Sequence, residues 1–193
     1  MRTLRSLVLA SSSPRRRAIL RALGVRCRVV APCVDESSAH RGRPDALVRR
    51  NALVKARAVA AAVSSGLVLG ADTIVWCDGR VLGKPNAWAQ VRVQWRRLNG
   101  RTHWVYTGLA LVDASGRSAT AVERTRVRFR RVSPACLRRY WRRIRPLDKA
   151  GAYAIQRQGE LIIDRVDGCL STVVGLSVPL LERLLRRWRY RLP

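Results

Sequence analysis

Apolar and polar positions along this 193-residue chain change period several times, and each change marks an element. RSLVLAS, from Arg5, reads as a strand; three serines and Pro14 follow, then RRRAILRAL, whose apolar residues return at helical spacing. Ser13 is placed to cap that helix, Pro14 suits its first position and Gly24 its end. A second helix is predicted over about Asp45 to Ser64, with Leu47, Ala52, Val54, Ala58 and Val59 near its inward side and Gly66 beyond it. LVLGADTIVW, from Leu67, is a mostly apolar strand, and Asp78-Gly79 signals a hairpin into VLGK. Pro85 and Asn86 open a third helix through AWAQVRVQWRRL, stopped at Asn99-Gly100.

THWVYTGLALVD, a turn at ASGR and TAVERTRVRFRRV make the longest hairpin, where Val127 and Phe129 alternate with arginines and one face is therefore wet. Ser133-Pro134 begins a helix through CLRRYWRRI that ends near Pro146. GAYAIQ and ELIIDRV read as two more strands, and VPLLERLLRRWRY as an amphipathic closing helix. No repeat or linker interrupts the series. Hairpins beside strand-helix passages predict an α/β fold on a mixed twisted sheet flanked by helices, one domain over residues 1–193.

Composition adds a core and removes several classes. Hydrophobic residues make up 48% of the chain, ample for burial. No apolar run approaches the roughly 18 to 20 residues of a membrane helix, and the opening apolar stretch is too short for a secretory signal, so a cytoplasmic protein is expected. The five cysteines are scattered and form no C-x-x-C pair, which suggests neither a disulfide framework nor a zinc site but reduced core thiols. The net charge of +27 invites a nucleic-acid partner. Arginines nevertheless occur in nearly every segment rather than in a tail or stripe, so the charge reads as compositional, with incidental affinity for polyanions and no specific nucleic-acid partner. Against that background lysine is informative: only Lys55, Lys84 and Lys149 remain lysine among 39 basic residues, as if a compact ammonium were needed there.

The serine loop running into the first helix offers unpaired backbone N–H groups and a positive dipole end, an anion site that Ser11, Ser12, Arg15 and Arg16 would strengthen. Asp72 interrupts an apolar strand, where an unpaired carboxylate is costly, so it caps backbone or meets a metal, a lysine or a water. Lys84 in LGKP and Lys149 in PLDKAGAYAIQ are held by neighbouring glycine and proline; Lys55 lies mid-helix, where a solvated face is the plainer reading. With His40 and His103 the only histidines, Ser-His-Asp catalysis and His-based metal sites are poorly supported. Arginine, lysine and carboxylate remain, the equipment for a divalent metal and a polyphosphate.

LVLASSSPRRRAILRALGV, VDES, LGADTIVWCDGRVLGKP, LNGRTHWVYTGLAL, PLDKAGAYAIQ and VVGL, in that order, resemble the Maf proteins, nucleoside triphosphate pyrophosphatases related in fold to the inosine-triphosphate pyrophosphatases. The resemblance implies two lobes around a cleft and hydrolysis between the α and β phosphates, releasing a nucleoside monophosphate and pyrophosphate. It implies a divalent cation (Mg²⁺, Mn²⁺ or Co²⁺) held by Asp72 and Glu36, with Asp72 as proton acceptor. Arg15, Arg16, Lys55 and Lys84 would hold the triphosphate, with Ser11 and Lys149 in the same binding site. Arg15, Thr73 and Gln156 occupy the positions that separate a dTTP/UTP branch from a 7-methyl-GTP branch and look like the former. Thr73 and Gln156 also offer both donors and acceptors to a pyrimidine edge. A homodimer and an association with septum formation belong to the same resemblance. Asn51 stands where an apolar residue is expected, Val54 where a glutamate is, Ser177 where proline is common, and Leu170 replaces a frequent aromatic; these departures are expected to touch helix packing and the rim more than the centre. Trp88, Trp95 and Trp104 read as packing residues.

Overall fold

The apolar run around Asp72 becomes the axis of the fold. In the computed structural model, which describes residues 1–35 and 42–193, it forms β4 (Val68–Cys77). Before it come β1 (Arg2–Thr3), β2 (Ser6–Ala10), α1 (Pro14–Ala22), β3 (Arg26–Val29) and α2 (Pro44–Ala60). After it come β5 (Arg80–Leu82), α3 (Trp88–Leu98), β6 (Thr102–Val112), β7 (Ser118–Phe129), α4 (Pro134–Ile144), β8 (Ile163–Asp167), α5 (Leu170–Val174), α6 (Val178–Arg186) and β9 (Tyr190–Arg191).

Seven strands build one mixed sheet in the order β3-β2-β4-β6-β7-β8, with β5 beside β4. β2 runs parallel to both β3 and β4, whereas β4, β6, β7 and β8 are successively antiparallel. β6 covers one edge of β4 from Val68 to Trp76. On the other edge β2 pairs only with Val68 to Gly70 and β5 only with Val75 to Cys77. Among the described residues no strand pairs with residues 71–74 on that edge, and the sheet is split there.

Alternation along β4 sorts the chemistry to two faces. Even-numbered residues face α2: Val68 packs with Ala52, Ala56 and Val59, and Ile74 with Leu47 and Val48. Odd-numbered residues face two separate cores. Leu69 and Ala71 join α1 and α6 through Leu20, Leu180 and Leu184, while Val75 and Cys77 join α3 and α4 through Val91, Trp95 and Tyr140. These cores are the two lobes, and Asp72 and Thr73 lie at their junction.

Several predicted elements take a different form. GAYAIQ is a turn rather than a strand, because Gly151 and Ala152 both have positive φ. Side chains supply several of the partners a strand would have given it: the Tyr140 hydroxyl accepts from Ala154 N at 2.9 Å and donates to Ala154 O at 3.2 Å, and Trp95 Nε1 donates to Ala152 O at 2.8 Å. The closing helix stops at Arg186; Arg189 takes a left-handed conformation and the chain turns into β9, parallel to β1. α2 ends at Ala60 rather than Ser64, and Val54 and Ala58, expected inward, are exposed, whereas Asn51 and Lys55 are buried. Ser13 holds the N-cap position of α1 without a side-chain cap bond. All five cysteines are free, but only Cys77 is a core residue.

His103 on β6 lies under the GAY turn, 1% exposed, with Nε2 2.8 Å from the Tyr153 hydroxyl and rings of Phe129 and Tyr153 edge-on to it. Burial lowers its pKa from 6.5 to about 3. The unfolded chain thus binds a proton that the fold refuses, so stability is complete above about pH 6.5 and falls toward pH 3 by about 1.4 kcal/mol per unit. Urea unfolding at pH 7.5, 6 and 5 should show that slope in the native protein. Its persistence in His103→Gln, which cannot titrate but can still bond Tyr153, would assign it to other groups.

Candidate active site

At the split in the sheet a cleft of about 640 Å³ opens between the lobes. Ser11, Arg15, Arg16, Lys55, Asp72, Thr73, Lys84, Lys149 and Gln156 all line it; Glu36 and His40 lie outside the described residues. Six cationic side chains, Arg157 being the sixth, face two carboxylates, Asp72 and Asp148. The balance suits a polyanion. All three lysines of the chain are among the six.

Asp72 is 5% exposed and projects toward α2, where Lys55 Nζ lies 2.7 Å from its Oδ1 and Asn51 Nδ2 donates to its Oδ2 at 3.1 Å. Asn51 and Lys55 are four residues apart, so one helix face delivers both. Lys55 is therefore no solvated surface residue. The sheet surface is shaved to admit α2: a Cβ on Gly70 would lie 2.1 Å from the Ala52 carbonyl oxygen, and one on Gly108, which pairs with Asp72 across the ladder, 2.4 Å from that of Val48. Breaking such a buried ion pair by removing one partner costs about 3–5 kcal/mol.

On the opposite face Thr73 meets a connected set of groups. Its Oγ1 lies 2.9 Å from Thr107 Oγ1, which donates to Thr172 O at 2.8 Å. Arg16, 9% exposed, spreads its guanidinium among Gly175 O (2.8 Å), Ser11 Oγ (2.9 Å) and Thr73 Oγ1 (3.2 Å). The serine loop, β4 and the VVGL segment are thereby tied together by one side chain, which also presents charge to the cleft.

Arg15 reaches across the cleft to Asp148, Nη1 to Oδ2 at 2.6 Å, and Lys149 bonds the other oxygen of the same carboxylate. Burial alone would raise the Asp148 pKa, but hydrogen bonds from Lys149 and Arg15 outweigh it and hold it at about 2. Lys84 is exposed on the LGKP segment, which Gly151 N fastens by bonding Gly83 O at 3.3 Å. Gln156 is exposed at the far rim.

Sequence reasoning missed Asn51, Thr107 and Asp148 as parts of this site. Asn51 carried a usable signal, a polar residue where an apolar one is expected, one turn before one of the three lysines. Thr107 and Asp148 carried none, since β6 register and the cleft partner of Arg15 arise only on folding.

The split mixed sheet, two lobes and cation-lined cleft around two ion-paired aspartates define an α/β protein with a cleft whose charge suits a polyanion. The family model of the Maf-like proteins matches residues 6–188. This chain belongs to the Maf family. It is 47% identical over 180 residues to the dTTP/UTP pyrophosphatase of Moorella thermoacetica, covering 93% of each chain. It is 41% identical over 188 residues to that of Pelotomaculum thermopropionicum, covering 97% of this chain and 98% of the relative. The solved Ham1 protein of Staphylococcus aureus aligns at a TM-score of 0.49 and 13% identity over 80% of this chain and 90% of its own; membership rests on the family model and the sequence relatives. No helix among the described residues is long and apolar enough to cross a membrane.

Proposed function

We propose that this protein hydrolyses dTTP and UTP, or modified pyrimidine triphosphates with the same edge, to the monophosphate and pyrophosphate in the cytoplasm. The observation that carries this reading is the gathering of nine expected site residues in one cleft, in a chain whose relatives at 41–47% identity are named dTTP/UTP pyrophosphatases.

Water attacks the α-phosphorus: its oxygen forms a bond there, the bond to the α-β bridging oxygen breaks, and pyrophosphate leaves with that oxygen. Asp72 takes the proton that the water gives up, as a general base. Arg15, Arg16, Lys55, Lys84 and Lys149 bind the phosphates and stabilise the charge that develops on them. Asp148 already occupies Arg15 and Lys149, so phosphate oxygens replace its carboxylate on both. Thr73 and Gln156 address the base.

The oxygen donors fit a hard cation. Asp72 is a buried acid of the cleft and Ser11 also lines it; a Mg²⁺ ion usually takes one or two carboxylates and completes its shell with substrate phosphate oxygens and water. Asp72 and Glu36 would hold such an ion, which when bound neutralises phosphate charge and makes water a better nucleophile.

Pyrophosphate release from dTTP, UTP, CTP, dCTP, GTP and 7-methyl-GTP, with Mg²⁺, Mn²⁺ or Co²⁺, tests the reading. Turnover concentrated on dTTP and UTP is expected. Turnover of 7-methyl-GTP instead would overturn the role of Arg15, Thr73 and Gln156 in base choice while leaving the chemistry intact. No turnover of any nucleotide would overturn the enzyme reading and turn attention to salt-dependent RNA or DNA binding.

A further inference from the structure

We infer that Asn51 is a positioning residue for Asp72, setting the plane of the carboxylate that receives the proton; this rests on the proposed role of Asp72 as base. The expectation that Asn51 belongs to helix packing is thereby corrected, because its amide donates to Asp72, which lines the cleft.

The reason lies in what each partner of Asp72 can fix. The χ2 torsion of an aspartate is broad and nearly two-fold, so nothing within the side chain holds its oxygens in place. Lys55 cannot do so alone: an ammonium is a compact charge with three rotatable donors, and it follows Oδ1 through a range of orientations without losing its bond. The amide of Asn51 is planar with its N–H bonds in that plane, so its bond adds a second, directional anchor to the one at Oδ1. It holds Oδ2 at 3.1 Å from the same helix that holds Oδ1 at 2.7 Å, and Asn51, Lys55 and Asp72 are 5%, 6% and 5% exposed. Two donors one turn apart on a rigid helix thus grip the two oxygens of one carboxylate. The carboxylate so held is one that lines the cleft.

A second observation shows that this approach is built in. Gly70 and Gly108 flank Asp72 on the α2 face of the sheet, and the helix backbone at Ala52 and Val48 occupies the space their side chains would need. The helix segment pressed against the sheet therefore runs from Val48 to Ala56, and Asn51 and Lys55 both lie within it.

The test compares Asn51→Leu and Asn51→Ser with the native protein in dTTP hydrolysis at saturating divalent metal, alongside Asp72→Asn and the double variant Asn51→Leu/Asp72→Asn. Leucine fills the site without a donor; serine keeps a polar group but withdraws it from Oδ2, and serves if leucine prevents folding. The expected result is a fall in kcat of about tenfold or more in both, as for a small misplacement of a reacting group, with KM changed less than twofold. The double variant should be no slower than Asp72→Asn alone, because a positioning role is exercised through that carboxylate. Native kcat in a folded Asn51 variant overturns the positioning role, whatever happens to its melting temperature, and so does a double variant slower than Asp72→Asn by the full factor of Asn51→Leu. Full activity of Asp72→Asn overturns instead the base reading on which this inference stands.

Discussion

Asp72→Asn should fold and lose nearly all turnover of dTTP, by about 10²- to 10⁴-fold, the range of a general base. The amide keeps the carboxylate's shape, and its oxygen can still accept from Lys55, so α2 remains docked. What it cannot do is take a proton. Its N–H₂ would also meet the Asn51 amide, donor against donor, where Oδ2 now accepts; a mismatch of that kind costs about 1–3 kcal/mol. Lys55→Met makes the contrast. It leaves a buried carboxylate without its ion partner and should cost about 3–5 kcal/mol in stability as well as activity. Turnover assays paired with urea unfolding separate the two patterns, and an Asp72→Asn protein that turns over dTTP at the native rate would remove Asp72 from the role of base.

Gly108→Ala should cost more than any ordinary surface glycine substitution. The added methyl carbon would lie 2.4 Å from the Val48 carbonyl oxygen, 2.5 Å from its carbon and 2.9 Å from Arg49 N, all backbone atoms of α2. No side chain can rotate away to relieve it. The helix must retreat from the sheet by the better part of an ångström, which at about 3 kcal/mol of overpacking lowers the melting temperature by roughly 6–12 °C. Because Gly108 faces Asp72 in the ladder, the same retreat draws Lys55 and Asn51 off the carboxylate, and an activity loss of about 100-fold is expected. Gly116→Ala, at an open turn where a Cβ meets nothing within 4 Å, is the control; its φ of +82° still carries some strain. If Gly108→Ala melts and turns over like the native protein, the close seat of α2 is not what holds the aspartate.

Much of this arrangement was legible before folding. The helix from Pro14, the strand through Asp72 and the long β6-β7 hairpin follow from periodicity and turn residues, and the rarity of lysine pointed to three positions that the cleft brings together. Less legible was anything that depends on a side chain replacing backbone. GAYAIQ has the composition of a strand, and the Tyr140 hydroxyl and the Trp95 indole, from two different helices, help turn it into a rim. The inward face of α2 was misjudged for a related reason: Val54 is apolar and Asn51 polar, but a buried carboxylate opposite reverses their value. α5, five residues long, is too short to show a period at all.

The clustering of the lysines has a practical corollary in reagent chemistry. Apart from the α-amino group, every primary amine on this protein lies on the cleft wall, amid a surface of guanidinium groups that acylating and reductive-alkylating reagents largely ignore. Labelling directed at amines is therefore labelling of the site itself, graded from the exposed Lys84 to the deeply held Lys55.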